Sequence, residues 1–530
     1  MAINSLKFIV FVAVVCCIYF IAPKKIKWVV LLLANYIFYW LCSNWLIVYM
    51  LITTLSIYLI GLRIGVIDKH TKEKCKQLQD REQKKIIKNK AKTRKKWEVF
   101  FAVLINFGIL IALKYCNFVS GNLNSLFEKF NLNISIPFKQ IILPLGISYY
   151  TLQAISYVVD VYRAQYLPEK NIGKIALFVS FFPQMVEGPI GRYDALANQL
   201  YEPHKFEYER VKFGVQLMLW GYLKKIVIAD RAGLFVNEVF ANYGNYSGIP
   251  IFIAATLYTI QIYAEFSGCI DIVRGTAQIL GIEMAENFKR PFFSKSVQEF
   301  WRRWHITLGT WFKDYVFYPI SFSKANRNVA NFSKKIFKES HIATIIPAIF
   351  SLFFVWMGTG IWHGASWKYV VYGLYYYLVM VIGMIFEPLF NKLKEKLKID
   401  VESFSYKLWQ MLRTTIIVIF GMLLFRAKDL QEYGAMFKSI FKTKNLSLLS
   451  NGKIFEIGFK PIDFNIILIG VLVMFVVGLL QERGHNIRKD ISKQNLIFRW
   501  IIYYLAFFAI VILGVYGPGY AASDFIYGQF

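Results

Sequence analysis

Two histidines in apolar surroundings are the residues of this sequence best suited to acid–base chemistry. They are His305, which lies among aromatic residues, and His363, which lies at the end of a long apolar run. A neutral imidazole can take a proton near pH 7, and an ionisable side chain at membrane depth is costly unless it has a function or a partner. The other four histidines lie in or beside polar, charged stretches: His70, His204, His341 and His485.

His363 lies in the segment WMGTGIWHGASWKYVVYG, at the end of a long apolar run. Small residues allow close backbone approach or a broken helix, and Trp362 and Trp367 offer flat walls. The alternative is a structural histidine that is hydrogen-bonded to a neighbouring helix. The small residues around it are Gly358, Thr359, Gly360, Gly364, Ala365 and Ser366.

His305 lies in EFWRRWHITLGTWFKDYVFYPI, which carries too many charges for a lipid-facing span. Read as one helix, the segment turns Arg302 away from His305. We therefore expect an amphipathic helix that dips into the bilayer and lines a cavity, with Arg303 as a further lining candidate. The alternative is an interfacial helix that its tryptophans anchor. The aromatic residues on the His305 face are Trp301, Trp304, Trp311 and Phe312.

Charged residues in other apolar stretches are weaker candidates for a substrate site. Glu265, Asp271 and Arg274 share one segment, and Arg426 ends another. Intramembrane charges usually pair with one another, so ion pairs that hold helices together are the favoured interpretation.

The sequence indicates no covalent nucleophile, metal site or bound cofactor. The cysteines show no C-x-x-C spacing, and most fall in apolar runs where cysteine acts as a small hydrophobe. A serine nucleophile would need a motif such as G-x-S-x-G, which is absent.

Composition places these residues in a membrane protein. Of the 530 residues, 56% are hydrophobic and only 18% are charged, and the mean hydropathy is +0.43. A hydrocarbon core of roughly 30 Å needs about 20 helical residues, so we expect ten to fourteen transmembrane or re-entrant helices in an all-α protein. The apolar runs lie at 6–22, 44–67, 98–115, 211–229, 250–270, 342–362, 367–388, 408–425, 463–480 and 497–516, with shorter ones at 28–41, 141–160, 174–190 and 300–320.

The net charge of +29 fits a membrane surface better than nucleic acid. The basic residues lie between apolar spans, where the positive-inside rule and anionic lipid account for them. The basic loops at 23–27 and 68–97 indicate a cell-membrane protein with an extracytoplasmic N-terminus. We divide the chain into N-terminal helices (1–67), a basic cytoplasmic or interfacial segment (68–97) that forms a surface helix or a solvated loop, and a core (98–530).

From residue 143 onward, the chain resembles the membrane-bound O-acyltransferase family, specifically its bacterial branch that acts in alginate acetylation. The resemblance rests on an ordered set of motifs rather than on any single one. These are LPLGISYYTLQAISYVVDVYR (143–163), FFPQMVEGPIGRY (181–193), EFSGCIDIVRGTAQILGI (265–282), ENFKRPFFSKSVQEFWRRWHITLGTWFKDYVFYPI (286–320), GTGIWHGASWKYVVYG (358–373), LLFRAKDL (423–430) and FIYGQF (525–530). Two departures from the family pattern are Glu187 and Gly528.

The resemblance implies helices around a central tunnel, with His363 at the family's invariant histidine and His305 at its second polar position. It also implies a thioester donor in the cytoplasm, acetyl-CoA or an acyl carrier protein, and a polysaccharide acceptor outside. A secreted or membrane-anchored partner is expected to complete transfer. We assign His363 as general base and expect His305 to orient the acceptor or the thioester carbonyl.

Two other functions remain open at this point. Within the same family, transfer of D-alanine from a carrier protein to teichoic acid uses similar segments around both histidines. A transporter or flippase of polysaccharide intermediates would explain many spans and buried charges equally well. Such a transporter predicts paired half-repeats, which the sequence does not show.

Overall fold

A computed structural model of the chain describes residues 1–138, 141–185, 187–443 and 445–516. Throughout these ranges the regular structure is helical, apart from one isolated antiparallel bridge between Phe288 and Trp304. The all-α prediction is therefore confirmed. The terminal motif FIYGQF, with Gly528, lies outside the described residues.

Eight helical stretches of the described chain are long and apolar enough to cross a membrane, which makes this a multi-pass membrane protein. Leu6–Ile21 is a shorter apolar helix. The predicted span at 211–229 is helical but contains the buried Lys224 and Lys225, so it is not among the eight. The eight are Lys24–Gln77, Arg81–Lys114, Ile249–Ile279, His341–His363, Trp367–Ile385, Phe404–Arg426, Pro461–Glu482 and Leu496–Leu513.

The described chain divides into two compact units. The first contains Met1–Val215 and Val273–Ala285. The helix Tyr208–Tyr222 continues from this unit into the second. The first unit's other helices are Leu6–Ile21, Lys27–Ser43, Ile47–Gln77, Arg81–Lys114, Cys116–Lys129, Ile147–Tyr162, Ile172–Ser180, Phe182–Met185 and Tyr193–Tyr201, with short 3₁₀ turns at Lys24–Ile26 and Asn44–Leu46.

The basic segment 68–97 of this unit is neither a separate surface helix nor a loop. It forms the ends of two long helices, Ile47–Gln77 and Arg81–Lys114, which pack against each other. Asp80 caps the second helix, since its carboxylate accepts hydrogen bonds from the backbone N–H groups of Glu82 and Gln83. An ion pair of 2.8 Å between Lys95 and Asp68 joins the two helices. From the sequence we expected a separate segment here, because its high charge gives no sign that both apolar helices continue into it.

The second unit contains Gln216–Ile272 and Glu286–Phe530, and its described part holds both candidate histidines. Its α-helices after Tyr208–Tyr222 are Asp230–Ala241, Ile249–Ile279, Val297–Arg303, Ile306–Phe312, Tyr318–Ser321, Lys324–Phe337, His341–His363, Trp367–Ile385, Glu387–Lys396, Phe404–Arg426, Leu430–Lys442, Ser447–Ser450, Pro461–Glu482, Ile487–Ser492 and Leu496–Leu513. It also has π-helical turns at Leu223–Ala229 and Lys313–Phe317, and 3₁₀ turns at Tyr243–Asn245, Pro291–Phe293 and Lys453–Glu456. Buried aromatic and aliphatic residues of these helices form its core.

Candidate active site

His363 is the last residue of the helix His341–His363. The helix packs very closely against Trp367–Ile385, because Gly360 and Gly373 face each other. A Cβ atom at Gly360 would lie 2.4 Å from the carbonyl oxygen of Tyr369, and one at Gly373 would lie 2.4 Å from that of Trp356. The prediction that small residues permit close backbone approach here is therefore confirmed at this helix pair.

Aromatic rings surround the imidazole of His363, which is 4% exposed. Its ring centroid lies 5.1 Å from that of Trp362, 5.3 Å from that of Phe425 and 5.8 Å from that of Tyr372. The rings meet edge to face, the arrangement that the aromatic quadrupole favours. These side chains hold the imidazole in place and exclude bulk water from its flanks.

His305 lies at a break between two short helices, Val297–Arg303 and Ile306–Phe312. Its backbone has φ 45° and ψ 52°, the left-handed conformation that a residue with a side chain seldom adopts. The continuous helix that we expected from the sequence is therefore wrong. Such strained positions persist only where the surrounding structure fixes them, and they concentrate at functional sites.

Asn287 and its neighbours fix this break. The N–H of Lys289 donates to the carbonyl of Arg303 at 2.9 Å, and the N–H of Ile306 donates to the carbonyl of Asn287 at 3.0 Å. Residues 287–289 thus pair with the chain on both sides of His305. The pairing compensates the backbone groups that the broken helix leaves without intrahelical partners.

The Asn287 side chain also defines the tautomer of His305. Its Oδ1 accepts hydrogen bonds from the backbone N–H of Thr307 at 3.0 Å and from the Thr307 hydroxyl at 2.9 Å. A backbone N–H can only donate, so the amide oxygen must face it. The same oxygen lies 3.2 Å from Nδ1 of His305. A neutral His305 therefore carries its proton on Nδ1, and Nε2 is the proton acceptor.

Both histidines line one cavity of about 590 Å³ in the second unit. Trp362, which the sequence suggested as a lining residue, is not part of the cavity wall. Its indole contacts both imidazoles, with its ring centroid 5.9 Å from that of His305 and 5.1 Å from that of His363. Trp301 and Trp304 contribute to the wall, as the sequence suggested. The rest of the wall is mostly apolar. It consists of Gln298, Arg302, Ile306, Leu308, Gly309, Thr310, Phe312, Lys313, Phe317, Ala348, Leu352, Val355, Trp356, Thr359, Met380 and Met384.

The predictions for Arg302 and Arg303 are both wrong, because Arg302 lines the cavity and Arg303 does not. Arg302, which a continuous helix would turn away from His305, lines the cavity. Arg303 lies outside it and forms ion pairs with Glu299 at 2.7 Å and Glu482 at 2.5 Å. The difference follows from the break at His305, because the helical periodicity ends there.

Three other candidates lie outside the cavity as well. Glu265 forms an ion pair with Lys225 at 3.0 Å, and Asp271 forms one with Lys224 at 2.6 Å. The favoured ion-pair interpretation is thus confirmed for these two acids, although their partners come from the π-helical turn Leu223–Ala229. Arg426 donates to the Asn237 side chain at 3.1 Å and lies over the Phe240 ring.

Sequence reasoning missed Asn287. Nothing in the spacing reveals it, since 18 positions separate it from His305 and its own segment is short and irregular. The available sign in the sequence was that Asn287 lies in the same motif, 286–320, as His305. Within the described ranges no group of three or more His, Cys, Asp or Glu side chains is placed to hold a metal ion.

Comparison with known proteins identifies a family to which part of this chain is similar. Residues 170–333, which include Asn287 and His305, match the model of the membrane-bound O-acyltransferase family. The probable alginate O-acetylase of Pseudomonas aeruginosa is 28% identical over 486 residues, which is 90% of this chain and 81% of that protein. The alignment thus extends well beyond the matched family segment.

The chain is similar to the membrane-bound O-acyltransferase family over residues 170–333 and to an alginate O-acetylase over most of its length. Two further relatives of this O-acyltransferase modify other polymers. The peptidoglycan O-acetyltransferase of Helicobacter pylori is 25% identical over 69% of this chain and 68% of its own length. The teichoic acid D-alanyltransferase of Bacillus subtilis is 30% identical over 47% of this chain and 61% of its own length. The family match and the names of these relatives support an O-acyltransferase.

Proposed function

We propose that this O-acyltransferase moves an acetyl group from a cytoplasmic thioester, acetyl-CoA or an acyl carrier protein, to hydroxyl groups of an extracytoplasmic polysaccharide. Transfer is direct or passes through a secreted or membrane-anchored partner. The observation that carries the proposal is the cavity that both histidines line, with the indole of Trp362 in contact with both imidazoles. The names of the relatives support a polysaccharide acceptor.

The reaction needs one proton removed and one returned. His363 takes the proton of the acceptor hydroxyl as its oxygen attacks the thioester carbonyl carbon. The new C–O bond forms, the C–S bond breaks, and the thiolate recovers the proton from the imidazolium. Base assistance supplies roughly 10²–10⁴-fold, and holding both substrates in one cavity supplies much of the rest.

His305 acts on the acceptor rather than on the thioester carbonyl. Its Nδ1 proton is directed to Asn287, so its neutral Nε2 accepts a hydrogen bond and cannot donate one to a carbonyl oxygen. A hydroxyl group donates such a bond. This tautomer supports the first of the two roles that the sequence left open, orientation of the acceptor.

The orientation follows from the basic helices of the second unit. Lys324–Phe337 carries Lys324, Arg327, Lys334 and Lys335 and no acidic residue, and it packs on His341–His363. The positive-inside rule places this helix, and the start of the helix that ends at His363, in the cytoplasm. The same rule, applied to the basic segment 68–97 of the first unit, supports an extracytoplasmic N-terminus.

A reconstituted assay tests the proposal. Purified protein in vesicles receives acetyl-CoA with a labelled acetyl group and an acceptor polymer, and label on the polymer is counted. We expect transfer by the wild type and its loss in His363→Ala. Normal transfer by His363→Ala would refute the base assignment, and no transfer from any acetyl thioester would refute the proposed donor.

D-Alanine transfer is the second candidate, because the Bacillus subtilis teichoic acid D-alanyltransferase shares 30% identity with part of this chain. The same assay with a D-alanyl carrier protein separates the two. Transfer of D-alanine without transfer of acetyl would establish the second candidate. The greater coverage by the alginate O-acetylase favours acetyl.

A further inference from the structure

The helix Glu387–Lys396 carries an apolar stripe that the rest of the described chain leaves exposed. The five side chains of the stripe are between 44% and 59% exposed. They recur at the three- and four-residue spacing of one helix face, within an arc of roughly 100°. An exposed apolar surface of this kind marks a contact with a partner or with a membrane. The stripe consists of Phe386, Leu389, Phe390, Leu393 and Leu397.

Lysines border this stripe on both sides. At about 100° per residue, Lys394 lies beyond one edge of the arc and Lys396 beyond the other, while Glu395 lies on the opposite face. Each lysine has a long apolar stem, so its ammonium group can extend from the stripe toward headgroup phosphates. An apolar stripe with cations along its edges is typical of a helix that lies in a membrane interface.

Both ends of this helix are connected to membrane spans, Trp367–Ile385 before it and Phe404–Arg426 after it. The two spans run antiparallel, since two hydrogen bonds join them in opposite order along their sequences. The side chains of Lys368 and Tyr375 donate to the carbonyls of Ala427 and Ile417, at 2.7 Å and 2.8 Å respectively. The end of the first span and the start of the second therefore lie on the same face of the membrane.

A contact of the neighbouring helix indicates which face this is. Nε2 of His341 lies 2.8 Å from the carbonyl oxygen of Met384, which precedes Glu387 by three residues. His341 begins the helix that ends at His363, and the positive-inside rule assigns its start to the cytoplasm. The same assignment puts Glu387–Lys396 on the cytoplasmic face, where anionic lipids give the membrane a negative surface.

We propose that the helix Glu387–Lys396 lies in the membrane interface and binds anionic phospholipids. Its apolar stripe is inserted among the upper parts of the acyl chains, and Lys394 and Lys396 bind the headgroup phosphates. A second copy of the chain fits less well, because pairing two stripes would bring the lysines along their edges together. The inference does not depend on the reaction that the enzyme catalyses.

Photocrosslinking from the two faces of the helix tests the proposed insertion. A photoreactive benzoylphenylalanine replaces Leu393 of the stripe in one variant and Asn391 of the polar face in the other. Each full-length variant is placed in vesicles of phosphatidylglycerol and phosphatidylcholine in equal amounts, irradiated and analysed for attached lipid. We expect lipid to be attached at position 393 and little or none at position 391.

The opposite results are equally clear. Absence of lipid at position 393 would overturn the proposal, as would equal attachment at both positions. Attachment of a second copy of the chain at position 393, in place of lipid, would make the stripe a protein contact. Yields are normalised to the monodisperse protein recovered from the vesicles, so a variant that misfolds does not count as a loss of lipid contact.

The preference for anionic lipid is tested with the same probe at position 393. Each lysine near an anionic surface is expected to favour phosphatidylglycerol about fivefold. In the double variant Lys394→Gln, Lys396→Gln, the ratio of attached phosphatidylglycerol to phosphatidylcholine should therefore fall at least about fivefold. Lys394→Arg with Lys396→Arg should keep the ratio, because the charges remain.

A matched control removes two lysines from another helix of the same unit. Lys438 and Lys442 are exposed on Leu430–Lys442, which follows the opposite end of Phe404–Arg426. Lys438→Gln with Lys442→Gln should leave the lipid ratio unchanged. An equal fall in this control would overturn the assignment of anionic lipid to Glu387–Lys396, as would a ratio near one in the protein that keeps all its lysines.

Discussion

Nδ1 of His305 lies 3.2 Å from Oδ1 of Asn287, and that oxygen is oriented by the backbone N–H of Thr307. One asparagine therefore fixes both the backbone break at His305 and the ring nitrogen that carries the proton. This arrangement resembles the use of an acceptor behind a catalytic or metal-binding histidine in other enzymes.

Replacing Asn287 should damage turnover more than binding. In Asn287→Ala, His305 loses the acceptor that selects its Nδ1 tautomer, so we expect kcat to fall between about tenfold and a hundredfold. KM for the thioester should stay within about twofold. Steady-state acetyl transfer by the reconstituted protein measures both quantities.

The matched control for this variant is Asn106→Ala. Asn106 is also a buried asparagine, and its amide donates to the carbonyl of Ala102 at 2.8 Å in the first unit. It should lower thermal stability without a comparable loss of kcat. If Asn287→Ala reduced kcat no more than this control, the tautomer argument would be wrong.

The two histidines should differ in the kinetic constant that they affect. His363→Gln removes the proposed base, so kcat should fall by roughly 10²–10⁴-fold. His305→Gln removes an acceptor for the polymer hydroxyl, so KM for the acceptor should rise while part of kcat survives. The reverse pattern would exchange the two roles, which makes a full kinetic comparison of the single variants decisive.

How much of the site the sequence could reveal depends on how local each feature is. His363 was predictable because its glycines and tryptophans are its neighbours in the chain, and helix packing then buries it. The break at His305 was not, because residues 287–289 impose the left-handed backbone from a separate segment. Arg302 was misplaced for the same reason.

In the fold, too, features set by neighbouring residues could be predicted, whereas contacts between distant segments could not. Apolar length alone predicted most spans, since the bilayer sets helix length. The acids Glu265 and Asp271 were correctly interpreted as ion pairs, yet Lys224 and Lys225 could not be named as their partners. Packing over the whole unit decides which helix lies beside Ile249–Ile279, and the sequence does not reveal that packing.

The contact between Gly360 and Gly373 predicts a stability difference along one helix. In Gly373→Ala the new methyl group would meet the carbonyl oxygen of Trp356, so the two helices must separate. We expect a loss of about 1–3 kcal/mol. Gly383→Ala is the control on the same helix, because nothing lies within 4 Å of its Cβ position. It should be neutral or stabilising by about 1 kcal/mol.

Thermal unfolding in detergent, followed by loss of monodisperse protein, measures this pair of variants. Gly373→Ala should show the lower Tm, and activity at low temperature should fall with it because His363 follows Gly360 by three residues. Equal Tm values for the two variants would show that the helices tolerate the added methyl group and that their close approach is not required.

The buried charges around Lys225 predict a larger effect. Lys225 is fully buried and contacts both Asp230 at 2.7 Å and Glu265 at 3.0 Å. Lys225→Met would leave two carboxylates without this cation, which should cost roughly 3–5 kcal/mol. Adding Glu265→Gln should recover part of that loss, because one of the uncompensated charges is removed.

By contrast, Lys407→Met breaks the exposed 2.6 Å pair with Glu402 and should change Tm little. A loss in Lys225→Met no greater than in Lys407→Met would mean that water reaches these carboxylates and that the cluster does not hold Ile249–Ile279 in place.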